Sequence, residues 1–440
     1  MCDTMAALGN ATRDGRVLFA KNSDRQPNEP HILIQVPRGH HAPGTQLKCT
    51  YIEVEQAEQT YATLLLKPSW IWGCEMGCNE FGLNIGNEAV FTREKYGETG
   101  LTGMDMIRLA LERCRDSAAS LDFMIKLLER YGQGGNCGYR KPFTYHNSFL
   151  IADPQSAWVL ETAGPYWAAE KVEGIRNISN GLSIGSAFAR FHRELIEHAR
   201  QKGWCRSQED FNFARCYKDP VYTYFSGSEQ RSSLCRTELQ NQRGKLDAAA
   251  MINILRLHHP ATEGRQFRQA SLKSVCMHGG GIIGDHTTGS YVASLGESDC
   301  VYWVTGASTP CLAVFKPLWL MDGNPLLQGE DEPEQAVAYW QKRERFHRMV
   351  IGQQIRNLDE YLQRRDQLEA EWQQAVDALQ AAGQADEAGK RSLMQKAWQQ
   401  EEELIDTVLR ENRSQPVRIK GSPWFRHYWR LQEKTREGSC

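Results

Sequence analysis

The chain opens with two short strand-like segments joined by turn residues, and this pattern constrains its fold most strongly. Residues 3–8 and 17–22 have the composition of short strands. Residues 9–15 between them are dense in Gly, Asn and Asp and end in an Asp-Gly pair, a common hairpin turn. The sequence therefore predicts that the protein begins with an antiparallel β-hairpin.

This hairpin has a consequence for the residues at its open end. Pairing about a midpoint near Thr12 brings the end of the second strand back beside the start of the first. The sequence therefore predicts that Lys21, Asn22 and Asp24 lie close to Cys2. A carboxylate there could hold an ammonium group, and a nearby cation would lower the pKa of a thiol. The alternative interpretation is a polar loop that only closes the hairpin.

Cys2 follows the initiator methionine directly. Removal of Met1, which is usual before a small second residue, would leave a thiol and a free α-amine on one residue. The thiol is a good nucleophile, and the α-amine is basic enough to act as its adjacent base. Cys2 is therefore a candidate N-terminal nucleophile for acyl transfer. The alternative is an ordinary strand residue.

Composition excludes several classes of function. The 440 residues are 41% hydrophobic and 24% charged, with a formal net charge of −2, so no basic footprint for nucleic acid or an acidic membrane surface is expected. No apolar run has the length of a membrane helix, and no signal peptide precedes Cys2. The 13 cysteines include a CxxxC pair, Cys74 and Cys78, without zinc spacing. We expect free thiols in a reducing cytoplasm, and neither a metal nor another cofactor.

Two further segments carry candidate polar residues. Asn87 and Glu88 interrupt an apolar stretch, where they form either a turn or a substrate contact. Asn180 stands before Gly181 between strand-like residues. A side-chain amide at such a break can donate to an oxyanion, although an Asn-Gly pair more commonly marks a turn.

The C-terminal part of the chain is helical in pattern. Residues 330–412 are rich in Glu, Gln, Ala, Arg and Leu, and an interrupted apolar stripe runs from Ile351 to Leu379. A Gly- and Ala-rich stretch ending at Gly389 predicts a break between two helices. We expect an αα-hairpin that either packs back onto the first domain or forms a dimer seam. The predicted domains are residues 1–325, and residues 326–440 with a basic tail.

Several ordered motifs resemble the secernin and bacterial cysteine-dipeptidase family, most clearly its secernin branch. They are Cys2-Asp3-Thr4 and residues 18–24 (LFAKNSD), 80–88 (EFGLNIGNE), 176–183 (RNISNGLS), 274–278 (SVCMH), 287–290 (TTGS) and 315–317 (FKP). The resemblance spans about residues 2–319. This family is similar to the cysteine N-terminal nucleophile hydrolases, which include penicillin V acylase and bile salt hydrolase.

The resemblance implies an α+β fold, a four-layer α-β-β-α sandwich, here with a C-terminal helical hairpin. It also implies that Cys2 is the nucleophile, that Asp24 binds its α-amine and that Asn180 supplies the oxyanion hole. Arg231 stands where the acylases place a late active-site arginine, with Arg236 as a near neighbour.

The resemblance also suggests substrate-binding residues. Lys21 stands where the acylases and some dipeptidases have Arg, and Lys lacks the planar fork that binds a carboxylate with two hydrogen bonds. Asn87 is a candidate for the loop that lines the oxyanion site. Lys21 and Glu88 are the candidates for binding the charged ends of a peptide.

The implied function is hydrolysis of small peptides, as by a dipeptidase, through a thioester on Cys2. The alternatives are an acylase or amidase acting on linear non-peptide amides, and a catalytically silent interaction protein of the secernin type. A homo-oligomer through the C-terminal helices is a further expectation.

Overall fold

The computed structural model of the protein describes residues 1–282, 284–297, 299–324, 326–327, 329–330, 332–382 and 386–437. Its strands are β1 (Cys2–Ala7), β2 (Val17–Arg25), β3 (His31–Val36), β4 (Gly39–His40), β5 (Gln46–Lys48), β6 (Glu53–Glu55), β7 (Gln59–Thr60), β8 (Thr63–Pro68), β9 (Met76–Asn79), β10 (Asn84–Val90), β11 (His146–Ala152), β12 (Ala157–Ala163), β13 (Tyr166–Lys171), β14 (Ile175–Ile178), β15 (Arg190–Phe191), β16 (His286–Leu295), β17 (Cys300–Val304) and β18 (Lys316–Leu318).

The helices fall between and after these strands. They are α1 (Gly103–Arg113), α2 (Ser117–Tyr131), α3 (Leu195–Gln201), α4 (Phe213–Tyr217), α5 (Pro220–Phe225), α6 (Ser228–Asn241), α7 (Ala248–Leu255), α8 (Pro333–Ile351), α9 (Leu358–Ala382), α10 (Glu387–Asn412) and α11 (Pro423–Glu437). Most of the strands belong to two antiparallel sheets. The six-stranded sheet has the order β14-β1-β2-β16-β17-β18, and the eight-stranded sheet has the order β15-β13-β12-β11-β10-β9-β8-β3.

The N-terminal hairpin is confirmed, with the register that the sequence predicts. Cys2 pairs with Ser23 and Thr4 pairs with Lys21, so the pairing is centred close to Thr12. The short 3-10 helix Gly9–Ala11 lies within the turn. β2 is central to its sheet because β16 pairs along its other side. The end of the hairpin that carries Cys2 is therefore buried.

The two sheets lie face to face with helices on both outer surfaces. β1 contacts β10 and β11 across the sheet interface. α1 and α2 pack on the outside of the eight-stranded sheet, and α6 and α7 pack on the outside of the six-stranded sheet. The predicted α+β fold with four layers, α-β-β-α, is therefore confirmed by the contacts of this chain.

Alternation along the buried strands explains these layers. In β8, Leu64 and Leu66 belong to the core between the sheets, whereas Leu65 packs in the core beneath α1 and α2. In β11, Leu150 likewise faces the inner core, and Phe149 faces the helices. Because successive side chains of a strand point to opposite faces, a continuous apolar run is needed where both faces are covered.

The C-terminal helices pack on the edges of the two sheets. α8 contacts β3, the edge strand of the eight-stranded sheet, and α9 and α10 contact β18, the edge strand of the other. Covering an edge strand protects its unpaired backbone groups from pairing with another chain. The predicted αα-hairpin is present as α9 and α10. The predicted boundary at residue 325 and residues 383–385 of the predicted helix break lie outside the described residues.

Three sequence predictions of local structure differ from the fold. The apolar stripe that begins at Ile351 does not follow one helix, because α8 ends at Ile351 and α9 begins at Leu358. Residues 222–231 (YTYFSGSEQR), whose aromatic and turn-forming residues predict a loop, are largely helical, since Asp219 caps α5 and α6 follows at once. For residues 190–202 the sequence predicts one helix with a basic surface, but α3 is shorter, because residues 190–191 form an edge strand instead. Among the described residues, no helix is long and apolar enough to cross a membrane.

Candidate active site

Met1 and Cys2 lie at the wall of a cavity in the structure, with Met1 still attached. The Met1 ammonium donates to the backbone oxygen of Asp24 at 2.6 Å and lies 3.5 Å from a carboxylate oxygen of Asp285. The backbone N–H of Cys2 donates to Oδ1 of Asn180 at 2.8 Å. This nitrogen is the atom that becomes the free α-amine when Met1 is removed.

The Cys2 thiol is buried against a carboxylate. Its Sγ lies 3.4 Å from Oε2 of Glu75, which also accepts from the Ser23 hydroxyl at 2.8 Å. Burial, and to a smaller extent the Glu75 charge, raise the pKa of Cys2 to about 12, although Lys21 opposes this. With Met1 attached, the thiol is therefore neutral, which is the proton state that an adjacent amine base would act on.

Glu75 is ionised in this environment. Burial favours its neutral form, but Arg25, which donates to it at 2.6 Å, and Lys21 outweigh burial and lower its pKa to about 2. Arg25 also donates to Glu29 at 2.6 Å. The thiol therefore faces a carboxylate that belongs to a buried, charge-compensated group.

Asp24 lies beside the N-terminus, as the hairpin register predicts. Its Oδ1 accepts from the Thr287 hydroxyl at 2.6 Å, and its buried Oδ2 has no hydrogen-bond partner among the described residues. Burial raises the pKa of Asp24 to about 7, and the N-terminal ammonium opposes this. One carboxylate oxygen thus has no partner near the N-terminus, and the role of Asp24 in binding an amine on Cys2 stays a prediction.

Asn180 and Arg231 form a fixed pair below the Cys2 nitrogen. Arg231 Nη2 donates to Asn180 Oδ1 at 2.5 Å, and Arg231 Nε donates to Asp3 at 2.7 Å. Because a guanidinium can only donate, this contact fixes the orientation of the Asn180 amide. The amide oxygen faces Cys2, and Nδ2 donates to the backbone oxygen of Ala89 at 2.9 Å.

This orientation bears on the predicted roles of both residues. An oxyanion hole needs a donor, and the Asn180 donor is engaged by Ala89 while Met1 is attached. The oxyanion role of Asn180 stays a prediction. Arg231 is fully buried beside Cys2, whereas Arg236 is exposed on the outer side of α6. The structure thus brings Arg231, and not Arg236, to the site.

Lys21 and Glu88 lie beneath the cavity and not in its wall. Both side chains are fully buried, and they approach each other at 3.5 Å. Lys21 Nζ donates to the backbone oxygen of Asn87 at 2.7 Å, and Glu88 accepts from the Thr4 hydroxyl at 2.5 Å. Since their polar atoms face each other inside the sheet interface, the structure does not bring them to a substrate. Lys21 acts on the site through its positive charge near the thiol.

Asn87 lines the cavity, together with residues that were not predicted, and its place at an oxyanion site stays a prediction. The cavity has a volume of about 230 Å³. Its lining residues are Met1, Cys2, Asp24, Arg25, Gln26, Glu29, Glu75, Asn87, Ala89, Cys137, Gly138, Tyr139, Lys141, Phe143, Tyr145 and Asp285. It combines a charged floor with an aromatic side, and it is small enough to select small substrates.

Glu75, Arg25 and Asp285 were not among the predicted site residues. A signal for Glu75 was present, since a lone carboxylate between Cys74 and Met76 in an apolar segment indicates a buried, paired charge. Arg25 directly follows Asp24 and continues the same strand. Asp285 carried no comparable signal, because only the fold brings it to Met1.

Within the described residues, one group of side chains is close enough together to share a metal ion, and it lies outside this cavity. It consists of His258, Cys276, His278 and Cys311. The cavity itself holds a thiol, a prospective amine, amide groups and carboxylates, which are the groups needed for acyl transfer.

Comparison with known proteins gives distant likenesses. No protein-family model matches the chain. Among solved structures, the C2A mutant of conjugated bile acid hydrolase from Clostridium perfringens has 14% identity and a TM-score of 0.43, over 75% of this chain and 95% of that chain. Penicillin V acylase from Agrobacterium tumefaciens has 9% identity and a TM-score of 0.41, over 72% and 86%. The N-acylethanolamine-hydrolyzing acid amidase ortholog of Caenorhabditis elegans has 12% identity and a TM-score of 0.34, over 67% and 92%. These scores are low, so the four-layer fold rests on this chain's own strand pairing and layer contacts.

Proposed function

We propose that the protein is an amide hydrolase of the dipeptidase type that uses Cys2 as an N-terminal nucleophile. One observation carries the proposal: the Cys2 nitrogen is directed at buried polar groups that suit an amine, while its thiol lies at a cavity. Removal of Met1 would turn that nitrogen into an amine held by Asn180 Oδ1, with the free oxygen of Asp24 nearby.

The chemistry follows from these groups. The neutral α-amine takes the proton of the Cys2 thiol as sulfur attacks the substrate carbonyl. The tetrahedral intermediate collapses to a thioester when the protonated amine gives its proton to the leaving nitrogen. Water, deprotonated by the same amine, then attacks the thioester, and the thiol recovers its proton as the acid leaves.

Asp285 supports a substrate with a free amino group. In the structure its carboxylate faces the Met1 ammonium at 3.5 Å. When Met1 is absent, that carboxylate would face the cavity without this ammonium. A peptide whose own α-ammonium takes the place of the Met1 ammonium would restore this pairing. We therefore infer that the preferred substrates are unblocked dipeptides.

A linear-amide acylase is the second candidate, and the aromatic side of the cavity favours it. Tyr139, Phe143 and Tyr145 line that side and would pack against an apolar acyl group. Blocked N-acyl substrates have no ammonium group to pair with Asp285. The dipeptidase would therefore need this carboxylate to bind its substrate, and the acylase would not. If the protein is instead a catalytically silent interaction protein of the secernin type, it hydrolyses neither unblocked dipeptides nor N-acyl substrates.

The test combines intact mass with a substrate panel. We expect the native protein to lack Met1 and to hydrolyse unblocked dipeptides. Cys2→Ala should lower kcat/KM at least about a thousandfold, because the nucleophile is removed. Cys114→Ala, which removes another buried thiol, should leave it unchanged. Full turnover by Cys2→Ala, or a native chain that keeps Met1 and still hydrolyses peptides, would contradict the mechanism.

A second variant tests substrate class. Asp285→Asn should raise KM for unblocked dipeptides about tenfold with a smaller change in kcat, and should leave N-acetylated peptides unaffected. Glu58→Gln, an exposed carboxylate distant in sequence, serves as the matched control. Equal effects on blocked and unblocked substrates would favour the acylase.

A further inference from the structure

A second cluster of reactive side chains lies outside the proposed active site. His258 follows α7, Cys276 and His278 precede β16, and Cys311 lies in the connection between β17 and β18. One ligand-type atom from each of the four lies within 4.8 Å of all the others. The mechanism proposed for Cys2 uses none of them.

The spacing of these atoms fits a tetrahedral ion. Nε2 of His278 is 3.2 Å from Nε2 of His258 and 3.4 Å from the Sγ atoms of Cys276 and Cys311. A tetrahedral zinc ion with bonds of about 2.0–2.3 Å separates its ligand atoms by about 3.3–3.8 Å. The four side chains therefore already converge at close to the ligand spacing of such an ion.

Burial and surroundings also suit a metal. Cys276 and His278 are buried, whereas His258 and Cys311 are half-buried, which leaves a side for an ion to enter. Nδ1 of His258 lies 3.6 Å from a carboxylate oxygen of Glu263, an arrangement that orients a histidine ligand. Phe267 packs edge-on to His278 at 5.1 Å between ring centres. Nδ1 of His278 has no hydrogen-bond partner among the described residues. Of the two histidines, only His258 therefore has a carboxylate near its second ring nitrogen.

Without an ion, the cluster satisfies its own polar atoms poorly. Two imidazole nitrogens that face each other share only one proton between them, and thiols are weak donors. The thiolate is the form of cysteine that binds metal.

We propose that His258, Cys276, His278 and Cys311 form a binding site for one zinc ion. Two nitrogen and two sulfur ligands in tetrahedral arrangement are typical of zinc in proteins. Four protein ligands leave no open position for water, so the ion stabilises the fold and takes no part in catalysis. Binding converts both thiols to thiolates and releases their protons to solvent.

The site joins segments that also support Asp24. Met277, between two of the ligands, exchanges backbone and side-chain hydrogen bonds with Thr287 at 3.1 and 3.0 Å. The backbone N–H of Thr309, near Cys311, donates to the Thr287 oxygen at 2.8 Å. Thr287 in turn donates its hydroxyl to Asp24. The zinc ion therefore fixes the segments that position the carboxylate beside the N-terminus.

Metal content of the full-length protein tests the proposal. The chain is expressed without a polyhistidine tag, purified without chelator and analysed by elemental mass spectrometry. We expect about one zinc per chain in the native protein and less than about a fifth of that in Cys311→Ser. Cys300→Ser is the matched control, since Cys300 is also half-buried but lies outside the cluster, and it should keep its zinc.

A second readout does not depend on how a variant folds. Native protein exchanged into cobalt should show the strong visible bands of a tetrahedral site with thiolate ligands, and removal of the metal should lower the unfolding temperature. Absence of zinc together with absence of cobalt bands would overturn the proposal. So would a Cys276–Cys311 disulfide in freshly purified protein, or equal zinc content in native protein and folded Cys311→Ser.

Discussion

At the scale of single residues, the candidate site is a balance of buried charges around one thiol. Glu75 and Lys21 act on Cys2 with opposite sign, and Arg25 holds Glu75 ionised. Such a group is stable only while each charge keeps its partner, because an unpaired buried charge is costly. The charges near Cys2 therefore link the chemistry of the site to the stability of the fold.

Replacement of Glu75 should change how stability depends on pH. The pKa of Glu75 falls from the ordinary 4.5 to about 2 on folding. Its contribution to the free energy of unfolding is therefore fully present above pH 4.5 and is lost as the pH falls through about 2. The shift corresponds to about 3 kcal/mol. Glu75→Gln should lower the free energy of unfolding by about this amount at neutral pH, and the difference from native protein should shrink below about pH 3.

Denaturant unfolding across this pH range measures the effect. Glu58→Gln, which removes an exposed carboxylate, should leave the pH profile unchanged. A constant difference between Glu75→Gln and native protein at every pH would show that the ionised carboxylate is not the source of the stabilisation.

At the scale of elements, a buried ion pair joins the C-terminal helices. Arg343 of α8 donates to Glu401 of α10 at 2.8 Å, and both side chains are about 2% exposed. Lys316 of β18 lies 3.8 Å from the same carboxylate. One glutamate thus neutralises cations from two other elements.

We expect Glu401→Gln to lower the free energy of unfolding by about 3–5 kcal/mol, because it leaves Arg343 and Lys316 buried with less compensation. Glu403→Gln, two residues away on the exposed face of α10, should change it by less than about 0.5 kcal/mol. Thermal unfolding of both variants measures the difference. Similar melting temperatures for the two would contradict a structural role for the ion pair.

At the scale of the whole molecule, the C-terminal helices share a core with the sheets. Trp372 of α9 and Trp398 of α10 belong to the same buried cluster as Phe315 and Trp303. The helical hairpin therefore packs back onto the first part of the chain. A homo-oligomer through these helices stays a prediction, as do the domain boundary and a cytoplasmic location.

Two tryptophan variants, one in the shared core and one on the surface, test whether sheets and helices unfold together. Trp372→Ala should destabilise the entire protein by about 3–5 kcal/mol and lower the single unfolding transition of sheets and helices together. Trp424→Ala, which removes a side chain that is 73% exposed, should have little effect. A separate early transition of the helices alone in Trp372→Ala would show that they form an independent unit.

Local patterns determined much of this protein. The turn between the first two strands set the hairpin register and placed Lys21 and Asp24 beside Cys2, because pairing in a hairpin follows from its turn. The starts of α1 and α7 are also local features, because the side chains of Thr102 and Asp247 cap them. The four layers were predicted from the resemblance of the ordered motifs to a known family. Alternation of side chains along strands such as β8 gives the physical reason for these layers.

Only the tertiary structure decided which distant residues meet. Glu75 and Asp285 reach Cys2 and Met1 from segments far along the chain, and the proposed zinc site joins the Cys276–His278 segment to His258 and Cys311 from two other segments. The structure also placed Lys21 and Glu88 beneath the cavity. Alternation along a strand predicts which face of the sheet a side chain lies on, but not which other elements cover that face. Hydrogen bonding within a hairpin is local and readable from sequence, whereas charge pairing and ligand geometry depend on how whole layers pack.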